Sequence, residues 1–171
     1  MRWLLALFCL SFVTVSQASF VTTVTPSNTP MIEKILVLKS AHQLQLIADG
    51  KPIKTYRISL GKGAKKGPKL IEGDKRTPEG LYWIDWRKVS EKFNLAMHIS
   101  YPNISDSARA RREGVEPGGM IMIHGTPDSE ETPEDLFHTL DWTDGCIAMR
   151  NMDMREVWGL VPDGTMIEIR P

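Results

Sequence analysis

The feature of the sequence that most limits its possible folds is a pair of alternating apolar and polar stretches around Asp49-Gly50, within residues 42–61. An Asp-Gly pair in this setting is a strong signal for a β-hairpin, because both residues tolerate the positive φ of a two-residue turn. Further apolar runs of strand length occupy residues 34–40, 80–87, 97–101, 118–125 and 164–171. The pattern therefore predicts a mainly β domain with short α-helices.

Three segments in the second half of the chain have the signals that begin a short helix, namely a capping residue or an acidic first turn. They are residues 105–113 with a cap at Ser105, 132–140 with a cap at Thr132 followed by Pro133, and 151–161 with a cap at Asn151. Because these segments follow most of the strand candidates, we expect the helices to be late insertions in a β framework.

Residues 1–18 have the layout of a secretory signal peptide. Arg2 precedes an apolar run, and Ser16 and Ala18 place small residues where a signal peptidase reads the chain. The run is shorter than the roughly 20 residues of a membrane-spanning helix, and an uncleaved anchor is the alternative. Residues 19–30 are rich in Thr, Ser and Pro and predict a flexible leader, so the packed domain is expected at residues 31–171.

The overall charge excludes one class of partner. The chain contains 21 Lys and Arg against 21 Asp and Glu, so its formal net charge at pH 7 is zero. It therefore lacks the basic excess that is typical of nucleic-acid binding. No apolar run after residue 18 is long enough to span a membrane. We expect an exported monomer that binds no nucleic acid and has no membrane span after cleavage.

The cysteines raise a question of chemistry. The chain has two, and Cys9 lies in the proposed signal peptide, so Cys146 would have no partner in an oxidising compartment. It could be an inert buried thiol, half of an intermolecular disulfide, or a nucleophile. The expected helix at Asn151 would lower the pKa of the thiol. His124 ends a predicted strand and could act as its base, although a single His in this position is more often structural.

Three motifs make the chain resemble the L,D-transpeptidase (YkuD-like) family, and in particular its murein L,D-transpeptidase-like subgroup. They are IMIHGTP at residues 121–127, DWTDGCIAM at 141–149, which contains the [Ser/Thr]-x-Gly-Cys pattern, and EGDKRTPEGLYWI at 72–84. GTMIEI, at residues 164–169, is similar to the closing strand of the family. The resemblance covers nearly all of the expected mature chain.

The resemblance implies a β sandwich or barrel and an activity in cell-wall biogenesis and cell shape. Cys146 would be the nucleophile, His124 the base, and the carbonyl of Gly125 the group that orients the imidazole. Backbone N–H groups of Gly145 and Cys146 could hold the oxyanion. The partner would be peptidoglycan, through its stem peptides or muropeptides, in the periplasm or cell envelope. No metal and no organic cofactor are implied.

The substrate-binding candidates are close to the motifs or are basic. They are Trp142, Thr143, Asp144, Arg150 and Arg109, with the lysines at 62, 65, 66, 69 and 75 as either a binding loop or a solvated one. Asp144 stands where many family members have His, and Ala148 where many have Arg. The acidic residues 128–141 lengthen the interval between His124 and Cys146, and they are interpreted as either a lid or an exposed helix.

The reaction remains open between related activities. Attack by Cys146 on the bond between diaminopimelate and D-Ala would give a thioester, and an amine acceptor would then make the protein a transpeptidase. Water as the acceptor would make it an L,D-carboxypeptidase, an endopeptidase or an amidase-like hydrolase. A non-catalytic wall-binding domain is the alternative from another class, but it would need neither His124 nor Cys146.

Overall fold

A computed structural model describes residues 30–127, 133–137 and 139–171. The predicted signal peptide and nearly all of the predicted leader lie outside these ranges, as do Thr132 and His138. The strands are β1 (Lys34–Leu38), β2 (Gln43–Ala48), β3 (Lys51–Arg57), β4 (Gly80–Ser90), β5 (Asn94–Ile99), β6 (Met122–His124), β7 (Ile147–Ala148) and β8 (Met166–Arg170). The helices are α1 (Ile104–Glu113), α2 (Glu134–Phe137) and α3 (Asn151–Leu160). None of these helices, within the described ranges, is long and apolar enough to cross a membrane.

The strands of the described ranges form a single sheet in the order β3-β2-β1-β8-β4-β5-β6-β7. The β1–β8 and β6–β7 pairs are parallel, and the other neighbours are antiparallel. The hairpin predicted at Asp49-Gly50 joins β2 to β3, and both turn residues have positive φ, +50° and +68°. The prediction of a mainly β fold with short helices is confirmed.

The two ends of this sheet order meet. Beyond β3, the Ser59 N–H donates to the Ala148 carbonyl at 2.8 Å, and the Ala148 N–H donates back to the Ser59 carbonyl at 2.8 Å. Gly61 and Thr143 form a second bridge beside the first. The sheet therefore closes on itself, and β7 lies between β6 and the continuation of β3.

Closure of the sheet encloses an apolar core. Alternate residues of β1 and β8 point inward and are buried, and α3 packs against β5 with Met154 and Val157 buried. The largest fully buried side chains are Tyr82, Ile35, Leu44, Leu46, Ile58, Leu60, Ile84, Met97, Ile99, Ile123, Ile147 and Met149. Burial of a large aliphatic side chain contributes about 1.5–3 kcal/mol, so this core is the main source of stability.

Two helix starts differ from the predicted ones. α1 is capped by Asn103 rather than Ser105, because the Asn103 side chain accepts from the Asp106 N–H at 3.0 Å while the Asp106 carboxylate accepts from the Asn103 N–H at 3.1 Å. Asn151 is the first residue of α3, and Arg150 occupies the cap position without a side-chain hydrogen bond to the helix backbone. The predictions of caps at Ser105 and Asn151 are therefore wrong.

Substitution of Asp106 should destabilise the fold, because its carboxylate completes the cap with Asn103 and also accepts from the buried Tyr82 hydroxyl at 2.9 Å. We expect Asp106→Ala to lower the free energy of unfolding by about 1–2 kcal/mol in chemical denaturation. The exposed neighbour Ser105 provides the control, and Ser105→Ala should change stability by less than about 0.5 kcal/mol. A larger effect at Ser105 than at Asp106 would contradict the observed cap.

Candidate active site

Strands β6 and β7 bring the predicted histidine and cysteine to one side of the sheet. In the parallel register, His124 pairs with Ala148 and Ile123 pairs with Ile147. Cys146 directly precedes β7, two residues before Ala148. Since side chains alternate between faces along a strand, this register predicts that Cys146 and His124 lie on the same face, one diagonal step apart.

The imidazole of His124 is buried and held in one orientation. Its Nδ1 lies 2.6 Å from the carbonyl oxygen of Gly125. A carbonyl oxygen only accepts, so Nδ1 carries the proton and Nε2 is left as the acceptor. Burial lowers the pKa of His124 to about 4, against a smaller opposing effect of the Gly125 carbonyl. The imidazole is therefore neutral at physiological pH.

Aromatic rings cover this imidazole. Phe93 lies against His124 with ring centroids 4.3 Å apart, and Trp142 meets it edge-on at 5.7 Å. Phe137 of α2 extends the cluster, 4.9 Å from Trp142. These rings remove water from the histidine, which is the physical cause of its low pKa. Trp142 was a sequence candidate, whereas Phe93 lies in the β4–β5 turn and carries no motif that would have identified it.

Gly125 is required by close packing. A Cβ at this position would overlap the Asn151 side-chain oxygen and lie 2.9 Å from the Phe93 carbonyl. The same Asn151 oxygen accepts from the Thr126 N–H at 3.0 Å. Asn151, at the start of α3, therefore positions the chain directly after His124 and Gly125, a role that its sequence position did not reveal.

The turn that leads to Cys146 also depends on a glycine. Gly145 has φ +128°, and a Cβ there would lie 2.8 Å from the Arg76 carbonyl. The buried Thr143 hydroxyl accepts from the Gly145 N–H at 3.2 Å and donates to the Cys146 carbonyl at 2.7 Å. Thr143 therefore holds the turn from within. The Gly145 N–H, a predicted oxyanion donor, is engaged by this bond.

The thiol of Cys146 is half-buried above the start of β6. Its sulfur lies 3.7 Å from the Met120 carbonyl. Burial raises the pKa of the thiol, and Asp144 raises it further, while the Met122 backbone and Lys69 oppose these effects. The expectation of a pKa lowered by the α3 dipole is therefore wrong, because desolvation outweighs it. The thiol and the imidazole are both neutral at rest.

The other substrate-binding candidates are held by partners within the chain. Arg150 donates to Asp135 at 2.9 Å. Arg109 of α1 donates to the Leu70 carbonyl at 2.9 Å and to Glu113 at 3.1 Å, and so ties α1 to the loop at residues 68–76. Asp144 is exposed, two residues before Cys146.

The acidic interval between His124 and Cys146 is described in part, and its described acids make contacts with the rest of the domain. Glu134 accepts from the Thr126 hydroxyl at 2.9 Å and from the Asn151 N–H at 2.5 Å. Asp141 contacts His42 Nε2 at 3.0 Å and accepts from the Leu60 N–H at 2.9 Å. Asp128, Glu130 and Glu131 lie outside the described residues.

The described part of the chain contains no group of three or more His, Cys, Asp or Glu side chains that could hold a metal ion. The polar groups gathered by β6, β7 and their loops are a thiol, an imidazole with a free Nε2 acceptor, and a backbone turn. Such a set can perform nucleophilic attack on a carbonyl with general-base assistance.

Comparison with known proteins finds one family along the length of the domain. The family model of the YkuD L,D-transpeptidase catalytic domain matches residues 32–169. The chain is 30% identical over 128 residues to YafK of Escherichia coli (strain K12), which carries a provisional name as an L,D-transpeptidase. This match covers 74% of the chain but 42% of YafK, so the chain spans less than half the length of that relative.

Solved structures share the fold. The helical cell shape determining protein Pgp2 from Campylobacter jejuni aligns with a TM-score of 0.61 and 24% identity, over 84% of the chain and 51% of Pgp2. Bd1075 from Bdellovibrio bacteriovorus aligns with a TM-score of 0.59 and 24% identity, over 83% and 51% of the two chains. An Enterococcus faecium L,D-transpeptidase aligns at 0.54 and 20% identity, over 82% and 50%. At these identities the likeness is one of fold.

The raised pKa of Cys146 predicts slow alkylation at neutral pH. We expect the iodoacetamide rate to rise with pH, with a midpoint above the ordinary thiol value of about 8.5. Asp144→Asn should shift this midpoint downward, because Asp144 raises the pKa of the thiol. Asp135→Asn, which removes an exposed carboxylate bound to Arg150, is the matched control and should leave the midpoint unchanged. A midpoint near or below neutral pH in the wild type would contradict the neutral resting thiol.

The lowered pKa of His124 predicts a loss of stability in mild acid. The folded pKa of about 4 lies below the ordinary 6.5, so the unfolded state binds more protons between these values. The free energy of unfolding should therefore fall as pH drops from 6.5 toward 4, by up to about 3 kcal/mol. His124→Asn should lose this part of the pH dependence in denaturant titrations. Equal slopes in the two proteins would show that the histidine is not desolvated.

Proposed function

The chain belongs to the YkuD L,D-transpeptidase catalytic domain family, and from this premise we propose that it is a cysteine-dependent acyl transferase that acts on peptidoglycan stem peptides. The observation that carries the proposal is the buried His124, whose Nδ1 is fixed on the Gly125 carbonyl and whose strand, β6, pairs with the strand that Cys146 directly precedes. A domain that only binds the wall would need no such orientation of the imidazole.

The first half-reaction forms a thioester. The Cys146 sulfur attacks the carbonyl at the L-centre of diaminopimelate, and its proton passes to His124 Nε2. His124 then donates that proton to the amine of D-Ala, the C–N bond breaks, and D-Ala leaves. Because the imidazole has a low pKa, its protonated form is a strong acid and transfers the proton readily.

The second half-reaction releases the product. An acceptor amine attacks the thioester, gives its proton through His124 to the departing sulfur, and forms a cross-link. Water in place of the amine gives a trimmed peptide, which is the hydrolase alternative. Both routes need the same two side chains and the same support from Gly125.

Stabilisation of the oxyanion is assigned mainly to the Cys146 N–H. The Gly145 N–H would have to leave the Thr143 hydroxyl in order to join it. Thr143 therefore positions the turn, while Trp142 would border the bound peptide through its place beside His124. Arg109 and Arg150 would support neighbouring loops, since both are bound within the chain.

The predicted signal peptide at residues 1–18 and the family membership support a location in the periplasm or cell envelope. The substrate would be encountered there as muropeptides or intact wall. The name of Pgp2 refers to helical cell shape. A part in wall biogenesis, and through it in cell shape, follows for this chain if the proposed reaction is its activity.

The proposal predicts a thioester at Cys146. Incubation of the wild-type protein with purified tetrapeptide muropeptides should release D-Ala and give an acyl-enzyme in acid-quenched intact-mass spectra. Cys146→Ala should abolish the adduct and lower turnover by at least about a thousandfold without changing the thermal midpoint. Ser105→Ala, an exposed change, serves as the active control.

The products separate the remaining alternatives. Cross-linked dimers indicate transfer to an amine, and trimmed monomers indicate hydrolysis. Retained turnover in Cys146→Ala would exclude the cysteine mechanism. Binding to wall fragments with neither adduct nor products in the wild type would favour a non-catalytic wall-binding domain.

A further inference from the structure

Three backbone segments converge on the glycine that precedes the nucleophile. A Cβ on Gly61 would overlap the Lys75 carbonyl and lie 2.9 Å from the Gly145 Cα. The Lys62 N–H donates to the Thr143 carbonyl at 2.9 Å, and the Gly63 N–H donates to the Lys75 carbonyl at 2.8 Å. These contacts are between backbones, so the positions of residues 61–63, 75–76 and 143–146 relative to one another are fixed.

This convergence brings two lysine side chains to the loop that carries Asp144 and Cys146. The ammonium groups of Lys62 and Lys75 lie 3.5 Å and 3.8 Å from the same carboxylate oxygen of Asp144. The side chains are well exposed, at 54% for Lys62, 51% for Lys75 and 72% for Asp144. Asp144 is separated from Cys146 by a single residue, so the cluster borders the thiol and remains open to solvent.

The charges of the cluster do not balance. Two ammonium groups share one carboxylate, which leaves a net charge of about +1 at neutral pH. The nearby Lys69 is different, because it is buried and paired with the buried Asp74 at 3.1 Å. Lys69 and Asp74 are therefore neutral as a pair. Lys62 and Lys75, by contrast, are exposed and share a single carboxylate, so they present positive charge to a molecule that approaches from solvent.

We propose that Lys62 and Lys75 form a subsite that binds a carboxylate of the substrate next to the carbonyl attacked by Cys146, in exchange for Asp144. The inference rests on the proposed function and adds a specificity-determining element to it. The substrate carboxylate takes the place of Asp144 between the two ammonium groups, so neither lysine is left without an anionic partner. Asp144 holds the two ammonium groups together in the free protein and turns toward solvent when the substrate binds.

Two carboxylates of the stem peptide have the required chemistry. One is the terminal carboxylate of D-Ala, and the other is the side-chain carboxylate of diaminopimelate. The first is close to the attacked carbonyl, the second lies at the far end of the diaminopimelate side chain, and each can be converted to an amide with little change in size. The amides therefore distinguish the two sources.

The test measures binding to Cys146→Ala protein, so that it does not depend on turnover. Calorimetric Kd values are compared for the tetrapeptide, its D-Ala amide and its diaminopimelate amide. We expect one amide to bind roughly five- to tenfold more weakly, as for the loss of an exposed charge-assisted contact. A triple variant adds Lys62→Ala and Lys75→Ala to Cys146→Ala. It should bind the tetrapeptide as weakly as that amide, so that the Kd values of the acid and the amide become equal.

Matched variants complete the design. Lys66→Ala removes an exposed lysine from the same loop, outside the contacts of Asp144, and should preserve the full difference between acid and amide. Asp144→Asn should strengthen binding of the tetrapeptide, because the internal competitor is neutralised. Higher salt should raise the Kd of the tetrapeptide more than that of the amide.

The two proposals fail in different ways. Equal Kd values for the acid and both amides, or no loss in the double lysine variant, would overturn the subsite while leaving thioester formation intact. Absence of measurable tetrapeptide binding would overturn it as well. Carboxylate-dependent binding combined with no thioester in the wild-type protein would keep the subsite and reject the proposed reaction.

Discussion

The reciprocal backbone hydrogen bonds between Ser59 and Ala148 are the constraint on which the rest of the structure depends. They join the two ends of the strand order, so that β7, a strand of two residues, is held between β6 and the continuation of β3. A strand this short gains little from its own ladder and relies on both neighbours. With β7 fixed, Cys146 has a defined place beside His124, and the loop of Gly61 and Lys62 reaches the turn before the thiol. Closure of the sheet and assembly of the site thus depend on the same hydrogen bonds.

Desolvation determines the charge states of His124 and Cys146. Aromatic rings shield His124 from water, and Cys146 is partly shielded by the turn in which it lies. Burial therefore disfavours the charged form of each group. A resting thiolate–imidazolium pair would need its mutual attraction to exceed both penalties. The structure instead favours the neutral form of both groups. A neutral pair limits oxidation and unspecific alkylation of the thiol, because the thiolate is the reactive form.

Much of this arrangement could be predicted from local signals. The Asp-Gly hairpin, the alternating strands and the His-Gly and Gly-Cys pairs are local patterns, and the structure confirms the strands that they predict. Strand β7 was missed because Ile147 and Ala148 are too few for periodicity to register. The cap of α1 was misplaced because Asn103 and Ser105 are both good caps, and Asp106, which completes the cap with Asn103, also bonds to the distant Tyr82 hydroxyl. Phe93 and Asn151 act on His124 and Gly125 through tertiary contacts alone, and the raised pKa of Cys146 comes from burial that no local motif encodes.

The contact between Glu134 and the Asn151 N–H has a consequence for redesign of the domain. Helix α3 has no side-chain cap of its own at Arg150, so a carboxylate from the excursion between β6 and β7 occupies the positive end of the helix. The segment between β6 and β7 thus supplies the capping carboxylate of α3, Glu134. A chimaera that replaces it with a shorter connector would leave α3 without that partner. Such a chimaera would also need Ser, Asp or Asn at position 150 to cap α3. The length of the β6–β7 connection and the capping residue of α3 therefore have to change together.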